Sequence, residues 1–521
     1  MKNVLKQAFS LMLVILISII KVNAQETTSE IQGTVTSGAT GLAGVSVTAV
    51  HQPTGTKYST TTRTDGRYNL INLKVGGPYL VEVSYVGFKK DQQNDINLLL
   101  GQAFRANFKL VEASNTLQEV VVRSTSQDKV FSNSRTGSQD NFNRNQITSL
   151  PTISRSYKDI IKLTPTYNGM SFGGQSSQLN NITIDGANFN NSFGLSGDIG
   201  GQTGQVAVSL DAIEQIQVNI SPFDVRQGGF VGGNVNSVSR SGANTATGSV
   251  YQYMKSKDWQ GYEVNAAPYT QVVPKQDFSY DLKGFTVGGA LIKNKLFYFV
   301  NAEQEERSAP ANTWTASTSS SAPNGTTVSA AKASDLDALA AFLKSKYNYD
   351  PGAYQNYSYA SKSKRLTAKI DWNIDENNTF SLKYSYLKSS NQIPPSNSGS
   401  VGSRQANATA LPFFGAGYAI NNNANIFIAE LNTKFSNKMS NKLQVGYTAL
   451  RDFRSSLSDK DFPFVDILDG SGTITSSKPL TSFGYELFTY GNKLNTDVFQ
   501  FNDILSVYAG NHEITAGIQS S

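Results

Sequence analysis

The chain has 521 residues, of which 16% are charged and 11% aromatic, with 43 Gly, no Cys and two His. The missing cysteine excludes a disulfide scaffold and thiol chemistry, and His51 and His512 are too few for a histidine-built zinc site or a Ser-His-Asp arrangement. A net charge of +6, with no basic run longer than Lys89-Lys90, argues against a nucleic-acid partner. Abundant Tyr, Phe and Thr favour strands, and Gly, Asn and Ser favour turns, so an all-β protein with long polar loops is expected. Both histidines read as surface residues, and no cofactor or metal is expected.

Lys2 and Lys6 precede an apolar run, Ala8 to Ile20, that is short of the ~20 residues of a membrane-spanning helix. Val22-Asn23-Ala24 then offers small residues for signal peptidase, so residues 1–24 read as a cleaved secretory signal. A mature chain without another long apolar run enters a membrane only as a barrel.

Residues 25–115 form the next unit. Ile31, Gly33 and Val35 alternate with polar residues, as do Val45, Val47 and Ala49, and then Tyr79, Val81, Val83 and Tyr85. Turn residues such as Asp65-Gly66 and Gly76-Gly77 separate these runs, the pattern of a small β-sandwich. Gly33-Thr34-Val35, Gly44-Val45-Ser46-Val47, Asp65-Gly66-Arg67-Tyr68 and Tyr85-Val86-Gly87-Phe88 resemble the carboxypeptidase regulatory-like domain. That resemblance implies a fold and carries no peptidase motif. Residues 116–124 follow, with Leu117, Gln118, Glu119, Val120, Val121 and Val122 as a short β-branched run. Such a run adds as an edge strand to another protein's sheet, or opens the next domain.

Residues 125–242 are rich in Gly, Asn and Ser. Tyr157 to Ile161 reads as a short helix ending before Pro165, Ile182 to Gly186 as a strand entering a turn, and Ala212 to Val218 as an alternating strand. Gly228-Gly229 and Gly232-Gly233 lack the Gly-Lys-Ser/Thr of a phosphate loop and read as points of close backbone packing. Asp185-Gly186, the strand holding Glu214, the paired glycines and the closing Arg240 occur in the order of the plug of TonB-dependent outer-membrane receptors, which this segment resembles. Gln217 stands where many members have Glu. The phrase Ser221-Pro222-Phe223-Asp224-Val225-Arg226-Gln227-Gly228 is most similar to the Oar-like branch, which also carries a regulatory-like sandwich in front. The resemblance implies that Leu117 to Val122 is a TonB-box-like coupling segment.

From residue 243 to 521 the chain alternates. Leu366, Ala368, Ile370 and Trp372 alternate with Arg365, Thr367, Lys369 and Asp371; Phe380, Leu382, Tyr384 and Tyr386 with Ser381, Lys383 and Ser385; Phe427, Ala429 and Leu431 with Glu430 and Asn432; Leu443, Val445 and Tyr447 with Gln444, Gly446 and Thr448. Alternation fits a lipid-facing wall around a wet lumen, or a soluble barrel with its apolar face inward. The secretory signal and the plug resemblance favour lipid outside. Tight connections at Asp375 to Asn378 and Ser436 to Asn441, against long ones from Ser308 to Lys364 and Ser389 to Asn425, have the asymmetry of outer-membrane barrels. Ser334-Asp335-Leu336-Asp337 reads as a capping box for a helix to Lys346, a decoration or a lid on one long loop. Phe285 to Gly289 followed by Leu296 to Asn301 also resembles the Oar-like wall. About nine strands are expected after Thr247, whereas family members close about 22; the chain therefore reads as a truncated receptor carrying the first part of an antiparallel transmembrane barrel.

The resemblance implies a receptor and transporter, not an enzyme, in the cell outer membrane. Its implied partners are outer-membrane lipid, a periplasmic TonB-type energy-transducing protein and an imported ligand the sequence does not identify. The alternative is an adhesin or structural surface protein that binds through the sandwich and long loops. A signal transducer lacks support, because the front unit reads as a sandwich and not as a βαβ signalling domain.

Overall fold

The computed structural model describes residues 26–113, 121–124 and 139–520, except 153, 170, 221–223, 225, 262, 267–268, 273–276, 401, 474–475 and 510–511. The secretory signal and Leu117 to Val120 lie outside the described residues.

The front unit is a sandwich. Strands β1 (Thr28–Ser37), β2 (Ser46–His51), β3 (Thr56–Thr61), β4 (Arg67–Lys74), β5 (Gly76–Ser84) and β6 (Asp91–Leu98) are joined by β7 (Val121–Ser124). One sheet runs β7-β6-β5-β2-β3, and the other pairs β1 with β4 and with three short flanking strands. Every second residue of β2 and β5 points inward, so Val47, Ala49, Val81 and Val83 meet Ile31, Val35, Leu73 and Ile96 in one core. Gly66 takes φ 77° in the turn before β4, and Tyr68 then enters the core and donates its hydroxyl to Ala106 O at 2.7 Å. Gly33 is required there, because a Cβ would lie 1.8 Å from Ala106 O. His51 corrects the expectation of a surface histidine: it is buried, hydrogen-bonded through Nδ1 to Thr54 Oγ1 at 2.7 Å and packed on Tyr79. Burial, with Lys74 nearby, pushes its imidazole down to about 3, so it is neutral. His512 is exposed.

The central domain has a sheet in the order β8-β11-β12-β9-β10, made of β8 (Gln139–Phe142), β9 (Asn181–Ile184), β10 (Ala187–Asn188), β11 (Ile213–Asn219) and β12 (Asn234–Ser239). Helices α1 (Arg144–Ser149) and α2 (Tyr157–Ile161) pack Ile147, Ile160 and Ile161 into its core.

Nine antiparallel strands form one sheet in chain order: β13 (Thr247–Ser256), β14 (Ser279–Ile292), β15 (Leu296–Pro310), β16 (Ser358–Asn373), β17 (Asn378–Ile393), β18 (Tyr418–Ser436), β19 (Met439–Ser456), β20 (Lys493–Ala509) and β21 (His512–Ser520). Its polarity is inverted relative to a soluble barrel. Phe285, Ile370, Trp372, Leu382, Phe427, Val445 and Phe499 are exposed, whereas Glu303, Glu305, Arg365, Lys383, Gln444 and Gln500 are buried against the central domain. Such a face suits lipid outside and polar groups inside. No described helix is long and apolar enough to cross a membrane.

The strands are longer than the sequence suggests. Ser358 to Lys364 and Ser389 to Ile393, expected in loops, are paired in β16 and β17. The remaining long connections fold on one another, with Leu336, Leu343, Tyr349, Leu411, Phe413 and Phe483 in a shared core. Helix α3 (Ala333–Tyr347) begins after Lys332 with no side-chain cap, so the expected capping box is absent; Ser334 Oγ donates instead to Asp335 Oδ1 at 3.1 Å. The helix is held by Leu336 and Leu343 in the loop core.

Candidate functional site

The site is the junction where the central domain meets the inner wall above and the sandwich below. It is built first by a turn. Asp185 (φ 50°) and Gly186 (φ 76°) both take the left-handed region and join β9 to β10, as in a type I′ hairpin. That geometry drives the Asp185 carboxylate into the wall. It accepts from Ser239 N at 2.7 Å and Ser239 Oγ at 2.6 Å, and pairs with Lys383 Nζ of β17 at 2.7 Å. Its backbone carbonyl accepts from Gln444 Nε2 of β19 at 2.8 Å. Burial alone would raise this carboxyl, but Lys383 and Lys369 outweigh burial and hold it below the usual carboxylate range. At Gly186 a Cβ would lie 2.7 Å from Gln444 Nε2.

Further along the wall, Arg365 pairs with Glu303 at 3.3 Å and Glu305 at 2.7 Å. These acids in turn accept from the central domain: Ser209 Oγ to Glu303 at 2.5 Å and Gln205 Nε2 to Glu305 at 3.1 Å. Thr203 and Ser389 exchange a hydrogen bond at 2.8 Å, and Asn188 N donates to Gln500 Oε1 at 3.2 Å. Polar contacts therefore recur along the seating of the central domain, alongside an apolar patch that includes Leu387, Ala424, Ile426 and Leu450 of the wall.

Below, the sandwich is clamped by two glutamines of β11. Gln215 Oε1 accepts from Leu100 N at 2.9 Å while its Nε2 donates to Leu98 O at 2.8 Å, and Gln217 Nε2 donates to Leu100 O at 2.7 Å. Lys74 of β4 reaches Asp371 of β16 at 3.5 Å. A cavity of about 210 Å³ lies among the three bodies, lined by Lys74, Asp185, Glu214, Lys369, Asp371 and Lys383 among others. Burial lowers the Lys74 ammonium against the pull of Asp371, and burial raises Glu214 against Arg240 and Arg144.

The sequence-selected residues are distributed as follows. Asp185, Gly186 and Glu214 border this junction. Gly232 and Gly233 lie at the opposite end of the β12 strand, where a Cβ would sit 2.2 Å from Asn180 Oδ1 and 2.4 Å from Phe172 Cδ2 respectively. Gly229 takes φ 79°, and Gly228 lies beside it in the same loop. Arg240 donates to Asp211 O at 3.3 Å and stacks over Phe299 of the wall. Val121 and Val122 lie in β7, which runs parallel to β6 with Val121 opposite Asp91 and Ser124 opposite Asn94. Among the described residues that strand extends this chain's own sandwich; it neither opens the central sheet nor stands alone. Lys383, Gln444, Gln215 and Lys74 are not singled out by the sequence, and Gln217 stands out there only as a departure from the glutamate of the resembled family. Alternation placed Lys383 and Gln444 on the polar face, but no local signal names a partner in a distant segment.

An inside-out wall around a polar-seated central domain defines an outer-membrane β-barrel with an internal plug. The outer membrane beta barrel domain family matches residues 238–521, and the carboxypeptidase regulatory-like domain matches residues 30–111. The chain belongs to that outer-membrane barrel family. It is 24% identical over 269 residues to the TonB-dependent transporter Oar of Myxococcus xanthus, which covers 49% of this chain and 24% of that protein. Among solved structures it is similar to the outer membrane transporter YddB of Escherichia coli, with 13% identity, TM-score 0.47, 72% of this chain and 47% of that one. The siderophore receptor PirA of Acinetobacter baumannii gives 16% identity, TM-score 0.44, 73% of this chain and 47% of that one. The chain thus spans 24% of the length of its curated relative and 47% of each of these solved chains.

Proposed function

We infer that this chain belongs to a transporter that imports a ligand across the outer membrane by energy-coupled rearrangement of the plug. The observation that carries the reading is the way the plug is seated. Glu303, Glu305, Lys383, Ser389, Gln444 and Gln500 hold it by hydrogen bonds and ion pairs. Water can replace such contacts at a net cost of about 0.5–1.5 kcal/mol for each neutral hydrogen bond and about 1.5–3 kcal/mol for each one to a charged group. The partner is a periplasmic TonB-type protein, and the coupling segment is Leu117 to Val122. β-Augmentation suits that coupling, because main-chain hydrogen bonds carry a pull without depending on side-chain chemistry. Asp185, Gly186, Glu214, Gly228, Gly229, Gly232, Gly233 and Arg240 form the plug motif.

Deleting 117–122 from the full receptor tests this. Import by cells should be lost while surface binding of the same nutrient persists. Loss of both, or retention of import, would refute the coupling role, and retention would favour the adhesin reading.

A further inference from the structure

We propose that the N-terminal sandwich is a second gate, closing the periplasmic side of the plug, and that β7 hands it the pull before the plug feels it. This rests on the transporter reading above. The short-turn end of an outer-membrane barrel is its periplasmic end, and that is the end the sandwich occupies. Asn373 Nδ2, at the end of β16, donates to Thr56 Oγ1 at 2.8 Å. Asn437 Nδ2, in the turn between β18 and β19, donates to Thr61 Oγ1 at 2.7 Å, and Lys434 donates to Ser59 O. On the far side Tyr508 of β20 donates to Glu30 at 3.3 Å. One domain thereby touches the short-turn ends of strands from β16 to β20 and is also clamped to the plug by Gln215 and Gln217.

The cavity of about 210 Å³ between plug, wall and sandwich lies on the periplasmic side of the Asp185 turn. Anything released past that turn meets the sandwich next. The sandwich can leave as a body. Its core is self-contained, and its apolar contact with the plug is a small cluster of Val75, Leu100 and Val238. The other contacts named here are polar.

The third observation is the placement of β7. Val121 to Ser124 pair along β6, overlapping the end of the coupling segment at Val121 and Val122, whereas the first described strand of the plug is β8, from Gln139. Tension applied at Leu117 to Val120 therefore loads the edge of the sandwich first.

The test uses the full receptor in cells, where the cysteine-free sequence permits one reporter. Ser381 lines the cavity, and Ser381→Cys is probed with a small cationic methanethiosulfonate reagent. Labelling should be slow in cells de-energised with a protonophore and should accelerate when they are energised. In Gln215→Ala/Gln217→Ala it should be fast in both states, by at least about tenfold over the parent, since each lost clamp strands buried backbone groups. Arg123→Pro, which removes a donor from β7 beyond the coupling segment, should abolish the energised acceleration. Should the glutamine variant fail to assemble, Thr61→Ala/Asn437→Ala at the rim makes the same comparison. Equal labelling in parent and unclamped receptors overturns the gate. Faster labelling when unclamped, with no effect of energisation, keeps the gate as a cover and instead defeats the coupling reading.

Discussion

Replacing Lys383 by Met isolates the electrostatic seat of the plug. The Lys383 side chain is 2% exposed, and its ammonium lies 2.7 Å from Asp185, which is itself 11% exposed. Without it, a buried carboxylate keeps Ser239 N and Oγ as donors but loses its charge partner. Removing one member of a buried pair costs about 3–5 kcal/mol, because the other charge is left uncompensated. That is more than a hundredfold in the opening equilibrium of the plug. The double variant Lys383→Met/Asp185→Asn should recover most of the loss. An amide oxygen still accepts from Ser239 N, its NH2 donates to Ser239 Oγ, and no buried charge remains. The pH profile gives the sign. Asp185 is held below its ordinary value near 3.8, so its stabilisation is present above that value and lost as pH falls through the depressed one. Lys383→Met should remove this acid-side loss. The assay is urea-dependent trypsin cleavage of the plug in outer-membrane vesicles at neutral pH. A loss below about 1 kcal/mol in the single variant, or a double variant no better than the single, would refute the reasoning.

Gln217→Glu should weaken sandwich docking by about 1–3 kcal/mol, since a carboxylate oxygen would face Leu100 O where an amide now donates at 2.7 Å; protease release of the sandwich measures it. Gly233→Ala should destabilise the plug by about 1–3 kcal/mol, read as a lower urea midpoint, because its Cβ would lie 2.4 Å from the Phe172 ring, and Phe172→Leu in the same chain should restore part of it. Burial, and then Glu513, push Glu30 up to about 7 against Tyr508 and Arg226. A raised carboxyl stabilises docking fully below its ordinary value near 4.5 and loses that stabilisation as pH rises through about 7. Sandwich release should therefore increase between these values, and Glu30→Gln should flatten the profile.

What was legible in the sequence was local. Asp185-Gly186 announced a tight turn because two successive left-handed residues suit Asp and Gly, and both φ values are positive. Alternation gave the wall strands, but not which face meets lipid; the secretory signal and the plug resemblance supplied that choice. The loops misled. Their Ser, Asn and Gly content suggests open chain, yet Leu411, Phe413 and Phe483 are buried together there. The apolar run Leu411-Pro412-Phe413-Phe414 inside a polar stretch was the available signal. The helix start differs too: a Ser-x-x-Asp phrase fits a cap locally, yet the helix begins at Ala333 without a side-chain cap and buries Leu336 and Leu343.

Partner choice across domains was not legible, and it matters most for function. Gln217 departs from the glutamate common in the resembled family, a difference that reads as conservative in isolation. In the structure it is the amide that matters, because its NH2 meets Leu100 O of the sandwich. Gln215 beside it uses both ends of its amide on Leu98 and Leu100. A glutamate at either position could accept but not donate at neutral pH. The plug strand is thus built to grip a backbone in the sandwich, with uncharged donors and acceptors that part without leaving an ion buried. By contrast Lys383 and Asp185, at the wall, form a pair that is costly to break one-sidedly. The sandwich is also held by ion pairs, Lys74 with Asp371 of the wall and Glu26 with Arg226 of the plug, so its release parts charges as well as the neutral glutamine clamp.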